Sequence, residues 1–354
     1  MKTCLRWVLF FIILSVAIIA GGCGSRSDDS LLDKAKSNNP EKPDKRYKIG
    51  ISLPSLQEDR WITDFKVIKE ECEKLGIELI YENAEMDAVK QATQCSSMIM
   101  KGIQLLILIP YDTEKAAVIV REAHSKNVKV LSYDRLIMNE DIDLYISFDN
   151  EKVGELIGKS IIEAVPKGNY VFFTGAPNDR NSYYISKGVE KYLKPLVDKR
   201  DIKVVTKEAI VDWNPDNAFN LMNKAIKDNK GNIQAVIAPN DGTAGGCIRA
   251  LADNNLAGKI PVTGQDAEVL AARRIIDGTQ LMTVFKDTRM LGRKAIEVSL
   301  KMINNEKIDT TTKINNDKKD IPAILLAPIS VNKDNLDELL VKSGYLNKDA
   351  VYRR

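Results

Sequence analysis

Strand-like and helix-like segments alternate along most of this 354-residue chain, and this alternation limits the fold more than any other feature. Short apolar runs typical of strands are mostly separated by amphipathic stretches of roughly 10–18 residues with helical spacing. This order predicts an α/β fold of βαβ units, with parallel sheets covered by helices on both faces. So many strands fit two doubly wound sheets better than one. The predicted strands are 47–53, 77–82, 105–110, 129–133, 145–148, 170–174, 203–206, 235–239, 261–264 and 281–285.

The N-terminal sequence is typical of an export signal, so we expect it not to be part of the fold. Two basic residues precede an uncharged apolar run at 7–20, and small residues then lead to Cys23. This pattern is typical of a bacterial lipoprotein signal at 1–23, in which Cys23 is lipidated. The alternative is a retained N-terminal anchor, although a spanning helix needs roughly 20 apolar residues. Both interpretations predict a protein tethered at the extracellular face of the cell membrane.

The composition of residues 24–46 predicts a flexible tether between that signal and the folded body. The segment is rich in Ser, Asp, Lys, Asn and Pro, and it has too little apolar surface to offset the entropy of ordering. The remaining part of the chain is long enough for two lobes of ordinary domain size.

The charge balance argues against a nucleic-acid partner. The chain has 52 basic and 49 acidic residues, a formal net charge of +3, and no basic run or DNA-binding motif. A tethered protein without a basic surface is therefore expected to bind something other than nucleic acid.

The residue inventory offers little for catalysis, so we predict that the protein is not an enzyme and uses no cofactor or metal. Cys72, Cys95 and Cys247 fall in helical stretches without disulfide or zinc spacing, which predicts small core residues. The one histidine, His124, lies near the end of a helical stretch and is expected at the surface. Gly245 and Gly246 favour close helix packing over phosphate binding, because no phosphate-loop motif surrounds them.

Polar and aromatic side chains follow nearly every predicted strand. In open α/β sheets the ligand lies outside the carboxyl ends of the strands. Taken singly, Asp and Asn at such positions are more often turn or N-cap residues than ligands. Taken together, they fit a neutral polyhydroxylated ligand, because carboxylates, amides and guanidinium groups hydrogen-bond hydroxyls and aromatic rings cover a sugar face. The residues are Arg60, Trp61, Asp134, Arg135, Asp149, Asn150, Asp179, Asn181, Trp213, Asn240, Asp241, Gln265, Asp266 and Lys286.

Several segments carry a resemblance to a known family. They are RW at 60–61, GIQLLILIPY, VLSYDR, DIDLYISFDNEKVGEL, VDWNPDNA, NDGTAGG, GQDAE and GTQLMTVFKD. From about residue 47 to beyond 344, the chain resembles the periplasmic sugar-binding proteins that serve ABC transporters, and within them the group that binds D-xylose.

The resemblance implies a type I periplasmic binding protein fold, with two doubly wound α/β lobes joined by a three-strand hinge. The expected crossings lie near Asp149, near Lys286 and at 316–320. The N-terminal lobe is then 47–148 plus 286–316, and the C-terminal lobe is 149–285 plus 317–354. The resemblance also implies a sugar site formed by Arg60, Trp61, Asp134, Arg135, Asp179, Asn181, Trp213, Asn240, Asp266 and Lys286. Arg180 lies between two of these residues, and the sequence leaves open whether its side chain points inward or to solvent.

Two functions remain open at this point. The first is delivery of D-xylose or a similar pentose to an ABC permease after the lobes close on the sugar. The second is sensing, in which the closed form docks on the extracellular part of a membrane histidine kinase of a two-component system. A sugar isomerase lacks a recognisable metal or acid/base cluster, and a LacI-like repressor is excluded by the export signal and the missing helix-turn-helix.

Overall fold

Two sheets organise residues 47–353, the part of the chain that this computed structural model describes. The predicted signal at 1–23, the lipidation site Cys23, the alternative anchor and the tether at 24–46 lie outside the described residues. Within 47–353, no helix is long and apolar enough to cross a membrane.

The chain builds most of the first sheet, passes to the second, returns, and ends beside the second. The first pass comprises β1 (Lys48–Leu53), α1 (Asp59–Leu75), β2 (Glu78–Asn83), α2 (Ala88–Met100), β3 (Leu105–Leu108), α3 (Ala117–Ser125), β4 (Lys129–Tyr133) and β5 (Leu144–Phe148). The second comprises α4 (Asn150–Ala164), β6 (Gly168–Thr174), α5 (Arg180–Asp198), β7 (Ile202–Ala209), α6 (Pro215–Asp228), β8 (Ala235–Ile237), α7 (Asp241–Asp253), α8 (Val269–Ile276) and β9 (Thr283–Phe285). The remainder is α9 (Thr288–Ile303), β10 (Thr312–Asn315), β11 (Asp320–Leu326), β12 (Ile329–Val331), a π-helical turn (Asp337–Lys342) and α10 (Lys348–Tyr352).

The first sheet has seven strands in the order β10-β11-β5-β4-β3-β1-β2. Its strands pair in parallel except for the antiparallel β10–β11 hairpin. Side chains alternate between the two faces of each strand: Leu105 and Ile107 join the core beneath α1 and α9, whereas Leu106 and Leu108 join the core beneath α2 and α3. The predicted doubly wound architecture is therefore present here.

The second sheet is built around β6, which pairs in parallel with β7 and β8. The predicted strand 261–264 forms only one bridge, between Val236 and Val262. It nevertheless continues the sheet, because the Val236 and Leu281 amides donate to the Pro261 and Val262 carbonyls on its two sides. β9 and β12 complete this edge as an antiparallel pair.

The predicted third crossing at 316–320 is wrong. β11 pairs in parallel with β5 inside the first sheet, so residues 317–326 belong with the N-terminal half rather than with the C-terminal one. The lysine-rich run at 315–320 is the turn of the β10–β11 hairpin, where Asp317 has φ of +66°. The chain leaves this sheet between β11 and β12 instead.

The cysteine and histidine predictions agree with the structure. Cys72, Cys95 and Cys247 are buried and free of disulfides, and burial raises the pKa of each thiol to about 12. His124 is at the surface, where its Nε2 lies 2.9 Å from Asp143 Oδ2. The three thiols are therefore core residues and not reactive groups.

Candidate functional site

The carboxyl ends of β1 and β4 bring the first predicted site residues together. The chain leaves β1 and enters α1, whose first turn carries Arg60 and Trp61, which are 7% and 1% exposed. β4 leads directly into Asp134, which has φ of +61°, and Arg135. Arg60 Nη2 donates to Asp134 Oδ1 at 2.9 Å. Because β1 and β4 are parallel strands of one sheet, their loops meet at the same edge.

The second sheet supplies side chains that face this group. Asp179 is the N-cap of α5, and Asn240 is the N-cap of α7, so each also has the local role that its position after a strand predicts. Trp213 lies in a short 3-10 turn before α6. Asp266 has φ of +99° and pairs with Lys286 at the end of β9, with 2.9 Å between Oδ1 and Nζ. Capping and lining a cavity are therefore compatible here.

Ion pairs and hydrogen bonds connect the two groups. Arg135 Nε lies 2.8 Å from Asp179 Oδ2, and Arg60 Nη1 lies 3.7 Å from Asp266 Oδ1. Asn181 Nδ2 donates to Asp134 Oδ2 at 3.2 Å. Residues from both sheets thus form one continuous polar cluster.

A single cavity collects all ten predicted residues. Its lining has three cations and four carboxylates, a near balance that fits a neutral ligand better than an anion. The lining residues are Glu58, Arg60, Trp61, Asp134, Arg135, Asp179, Asn181, Trp213, Asn240, Gln265, Asp266 and Lys286.

Two polar atoms on the cavity lining have neither a hydrogen-bond partner nor an ion-pair partner among the residues described. They are Trp213 Nε1, a donor, and Gln265 Oε1, an acceptor, on residues 7% and 3% exposed. A buried polar atom without a partner costs about 1–3 kcal/mol, so both atoms favour a ligand that donates and accepts hydrogen bonds. Gly175 makes room for the Trp213 ring, because a Cβ atom there would lie 2.2 Å from its Cη2.

The charges of the cavity are set by close pairing. Burial opposes ionisation of Asp134, but Arg60, Lys286 and Arg135 outweigh it and lower the pKa of this carboxyl. Burial likewise disfavours the charged form of Arg60, but Asp134, Asp64 and Asp266 raise its pKa well above the usual value. Burial raises the pKa of Asp179, with Arg135 acting against it. The Arg60–Asp134 pair is therefore held in its ionised form.

Behind the cavity, Asp64 supports Arg60 and was not predicted as a site residue. It is 0% exposed, its Oδ2 accepts from Arg60 Nε at 3.3 Å, and its Oδ1 accepts from the Tyr133 hydroxyl. The signal in the sequence is the i, i+4 spacing of Arg60 and Asp64 on α1. Asp64 thus fixes the guanidinium that faces the cavity.

Asp64 gives the folding stability a defined pH dependence. Burial raises the pKa of its carboxyl from 3.8 to about 6, against opposing effects of Arg60 and Tyr133. The folded state binds this proton more tightly than the unfolded chain does, so the resulting stability is complete below pH 4 and is lost as the pH rises through 6. Between pH 7.5 and 4.5, the wild type should gain on the order of 1–2 kcal/mol of unfolding free energy relative to Asp64→Asn.

Urea unfolding of both proteins at the two pH values measures this difference. Asp87→Asn is the matched control, because backbone N–H groups of Lys90 and Val89 lower the pKa of Asp87. Its difference from the wild type should stay nearly constant between these two pH values, because the stability that Asp87 contributes is lost only at a lower pH. If the difference in unfolding free energy between the wild type and Asp64→Asn is the same at both pH values, the raised pKa of Asp64 is contradicted.

Four further residues lie in or near the site. Glu58 and Gln265 line the cavity but were not among the predicted site residues, although Gln265 follows a predicted strand. Arg180, whose direction the sequence left open, packs its guanidinium 4.3 Å from the Tyr183 ring and does not line this cavity. Asn150 lies behind the site, where its Nδ2 donates to Asn181 Oδ1 at 2.9 Å. Among residues 47–353, His, Cys, Asp and Glu side chains form no metal-binding group of three or more.

Known proteins resemble this chain over most of its length. The chain is 42% identical over 308 residues to the D-xylose-binding periplasmic protein of Haemophilus influenzae, which covers 87% of this chain and 93% of that protein. It is 41% identical over 301 residues to the D-xylose-binding periplasmic protein of Escherichia coli, covering 85% and 91%.

A solved structure has the same architecture. The ABC transporter solute-binding protein of Clostridium phytofermentans, with bound β-D-glucose, superposes with a TM-score of 0.80 at 30% identity. The match covers 86% of this chain and 99% of that one. The predicted type I periplasmic binding protein fold is confirmed. The family model of the periplasmic binding protein domain matches residues 49–307, and together with the two relatives this shows that the chain belongs to the periplasmic binding protein family.

Proposed function

We propose that this protein binds D-xylose in the cavity between the two sheets and carries out no chemistry on it. The observation that carries the proposal is the cavity lining: paired charges of near-zero sum, two tryptophans, and an unpartnered donor and acceptor. A monosaccharide offers hydroxyl groups that both donate and accept, together with an apolar ring face. The two relatives with about two-fifths identity are named for D-xylose, which favours this sugar over others.

We expect selectivity for D-xylose over glucose, galactose and ribose. Trp61 and Trp213 both line the narrow cavity, so a hexose must fit an additional hydroxymethyl group between packed side chains. Overfilling a packed site costs about 1–3 kcal/mol, and an epimer leaves a buried polar group unpaired at a similar cost. Calorimetric titration of the soluble body with these four sugars measures the differences. Equal affinities for xylose and glucose would contradict the proposed selectivity.

We further propose that the closed protein, tethered at the extracellular face of the membrane, delivers the sugar to an ABC permease. The similarity to an ABC transporter solute-binding protein supports delivery. The sensing alternative uses the same closed form but docks it on a membrane histidine kinase. A strain lacking the protein separates them: transport requires that high-affinity xylose uptake falls at once, before any change in gene expression. Unchanged uptake with loss of the transcriptional response to xylose would favour sensing.

A further inference from the structure

Glu58 is a carboxylate on the cavity lining whose side chain contacts the first tryptophan. It immediately precedes α1 at the N-cap position, yet its side chain makes no capping hydrogen bond. Instead, its Oε1 accepts from Trp61 Nε1 at 2.9 Å. A carboxylate at a position that usually caps a helix is thus directed to the indole.

The Trp61 ring is held from two directions. The guanidinium carbon of Arg60 lies 4.3 Å from the ring centroid, and that of Arg135 lies 5.3 Å from it. These contacts fix the ring face, whereas the bond to Glu58 fixes its edge. The Trp61 side chain is 1% exposed, so loss of the acceptor would leave a buried N–H group unpaired.

Glu58 also stands at the boundary between the sugar cavity and a larger outer cavity. Glu58, Trp213 and Asn240 line both of them. Trp61 lines the sugar cavity as well, so a turn of its ring about the side-chain torsions would change the space available to the sugar.

We propose that Glu58 is a positioning residue that sets sugar selectivity through the Trp61 indole. Held by Glu58, the ring limits the cavity to a pentose; released, it admits a hydroxymethyl group. This inference rests on the proposed function, because it assumes that the cavity holds a sugar. The effect of Glu58 requires the indole N–H and therefore disappears when Trp61 is replaced by phenylalanine.

A double-mutant cycle tests this route. Xylose and glucose are titrated calorimetrically into the wild type, Glu58→Ala, Trp61→Phe and the double variant, with thermal unfolding as the check of folding. Glu58→Ala should weaken xylose binding about three- to tenfold, the range of one hydrogen bond, and should lower the xylose-to-glucose affinity ratio at least threefold. In the Trp61→Phe background, the same substitution should change xylose affinity less than twofold. Glu58→Gln, whose amide oxygen still accepts from the indole, should recover most of the loss.

The possible failures are distinguishable. If Glu58→Ala weakens xylose binding equally in both backgrounds, Glu58 contacts the sugar or supports the fold, and the positioning role is overturned. If Glu58→Gln behaves like Glu58→Ala, the charge rather than the acceptor matters, which also overturns it. An unchanged xylose-to-glucose ratio removes the selectivity role. A wild type that binds no sugar overturns the proposed function together with this inference.

Discussion

Replacing Asp266 by alanine should weaken D-xylose binding by about 2–5 kcal/mol, a factor of at least about thirty. Asp266 lines the cavity, and its Oδ1 lies 2.9 Å from Lys286 Nζ and 3.7 Å from Arg60 Nη1. The substitution removes a charged acceptor for a sugar hydroxyl. It also leaves the Lys286 ammonium, which is 2% exposed, beside a gap rather than a carboxylate.

Arg135→Ala should act in the same direction, because it removes the partner that Asp179 contacts at 2.8 Å. For both variants, we expect a larger loss in binding than in unfolding free energy, because we expect the unliganded protein to open and to admit water to the space left by the side chain. Titration and urea unfolding of each variant give the two quantities. Asp309→Ala is the control, because Asp309 is an exposed carboxylate whose partner is Lys307. Xylose affinity within twofold of wild type for both cavity variants would place the site elsewhere.

Replacing Gly188 by alanine should destabilise the protein by about 1–3 kcal/mol or more. Gly188 lies where α5 crosses α4, and a Cβ atom there would lie 2.0 Å from the Glu151 carbonyl oxygen. Gly154 on α4 is in the reciprocal position, where an added Cβ atom would lie 1.9 Å from the Ile185 carbonyl oxygen. Because the obstacle is backbone on both sides, no side-chain rotation relieves it. The two helices must therefore move apart. Because Asp179 is the N-cap of α5 and Asn181 is its second residue, this movement also displaces two residues of the cavity.

Gly242→Ala is the matched control for this substitution. Gly242 is also helical, in α7, but the nearest atom to an added Cβ is 3.6 Å away. Alanine is favoured over glycine inside a helix by about 1 kcal/mol, so this variant should be neutral or slightly more stable. Thermal and urea unfolding compare the two. Equal stability of Gly188→Ala and Gly242→Ala would mean that the α4–α5 contact is looser than the structure has it.

Most of the fold could be predicted from the sequence because strand and helix periodicities alternate along most of the chain as far as β9, although β5 follows β4 without a helix. The end of the chain could not. The strand β11 contains Pro322 and follows a lysine-rich run, features that indicate a loop or an edge. Its pairing with β5 overrides that local signal, although β5 precedes it in the sequence by about 170 residues. The local signal therefore predicts that the chain leaves the first sheet before β11, whereas it leaves after β11.

The candidate site could be located because parallel strands end at a common edge, so polar residues after strands must meet. All ten predicted residues line one cavity for this reason. Glu58 and Asp64 were missed because their roles depend on tertiary contacts. Glu58 reaches Trp61 rather than capping its own helix, and Asp64 turns inward one helical turn after Arg60. The sugar-binding roles of the ten residues and the positioning role of Glu58 stay predictions.

We expect one sugar molecule to hold both halves of the protein together. Arg60 and Asp134 follow strands of the first sheet, whereas Asn181 and Asp266 follow strands of the second, and all four line the cavity. A ligand that contacts both sets binds the closed arrangement more tightly than an open one, so it shifts the population toward closure. Under the proposed function, a permease or a kinase would recognise the closed shape without contacting the sugar.

Small-angle scattering of the soluble body with and without D-xylose tests this claim most directly. We expect the radius of gyration to fall on saturation with xylose and to remain unchanged with a sugar that does not bind. Trp213→Ala should reduce the fall, because it removes part of the contact that the second half makes with the ligand. A scattering profile that saturating xylose leaves unchanged, in a sample that calorimetry shows to be fully bound, would contradict ligand-driven closure.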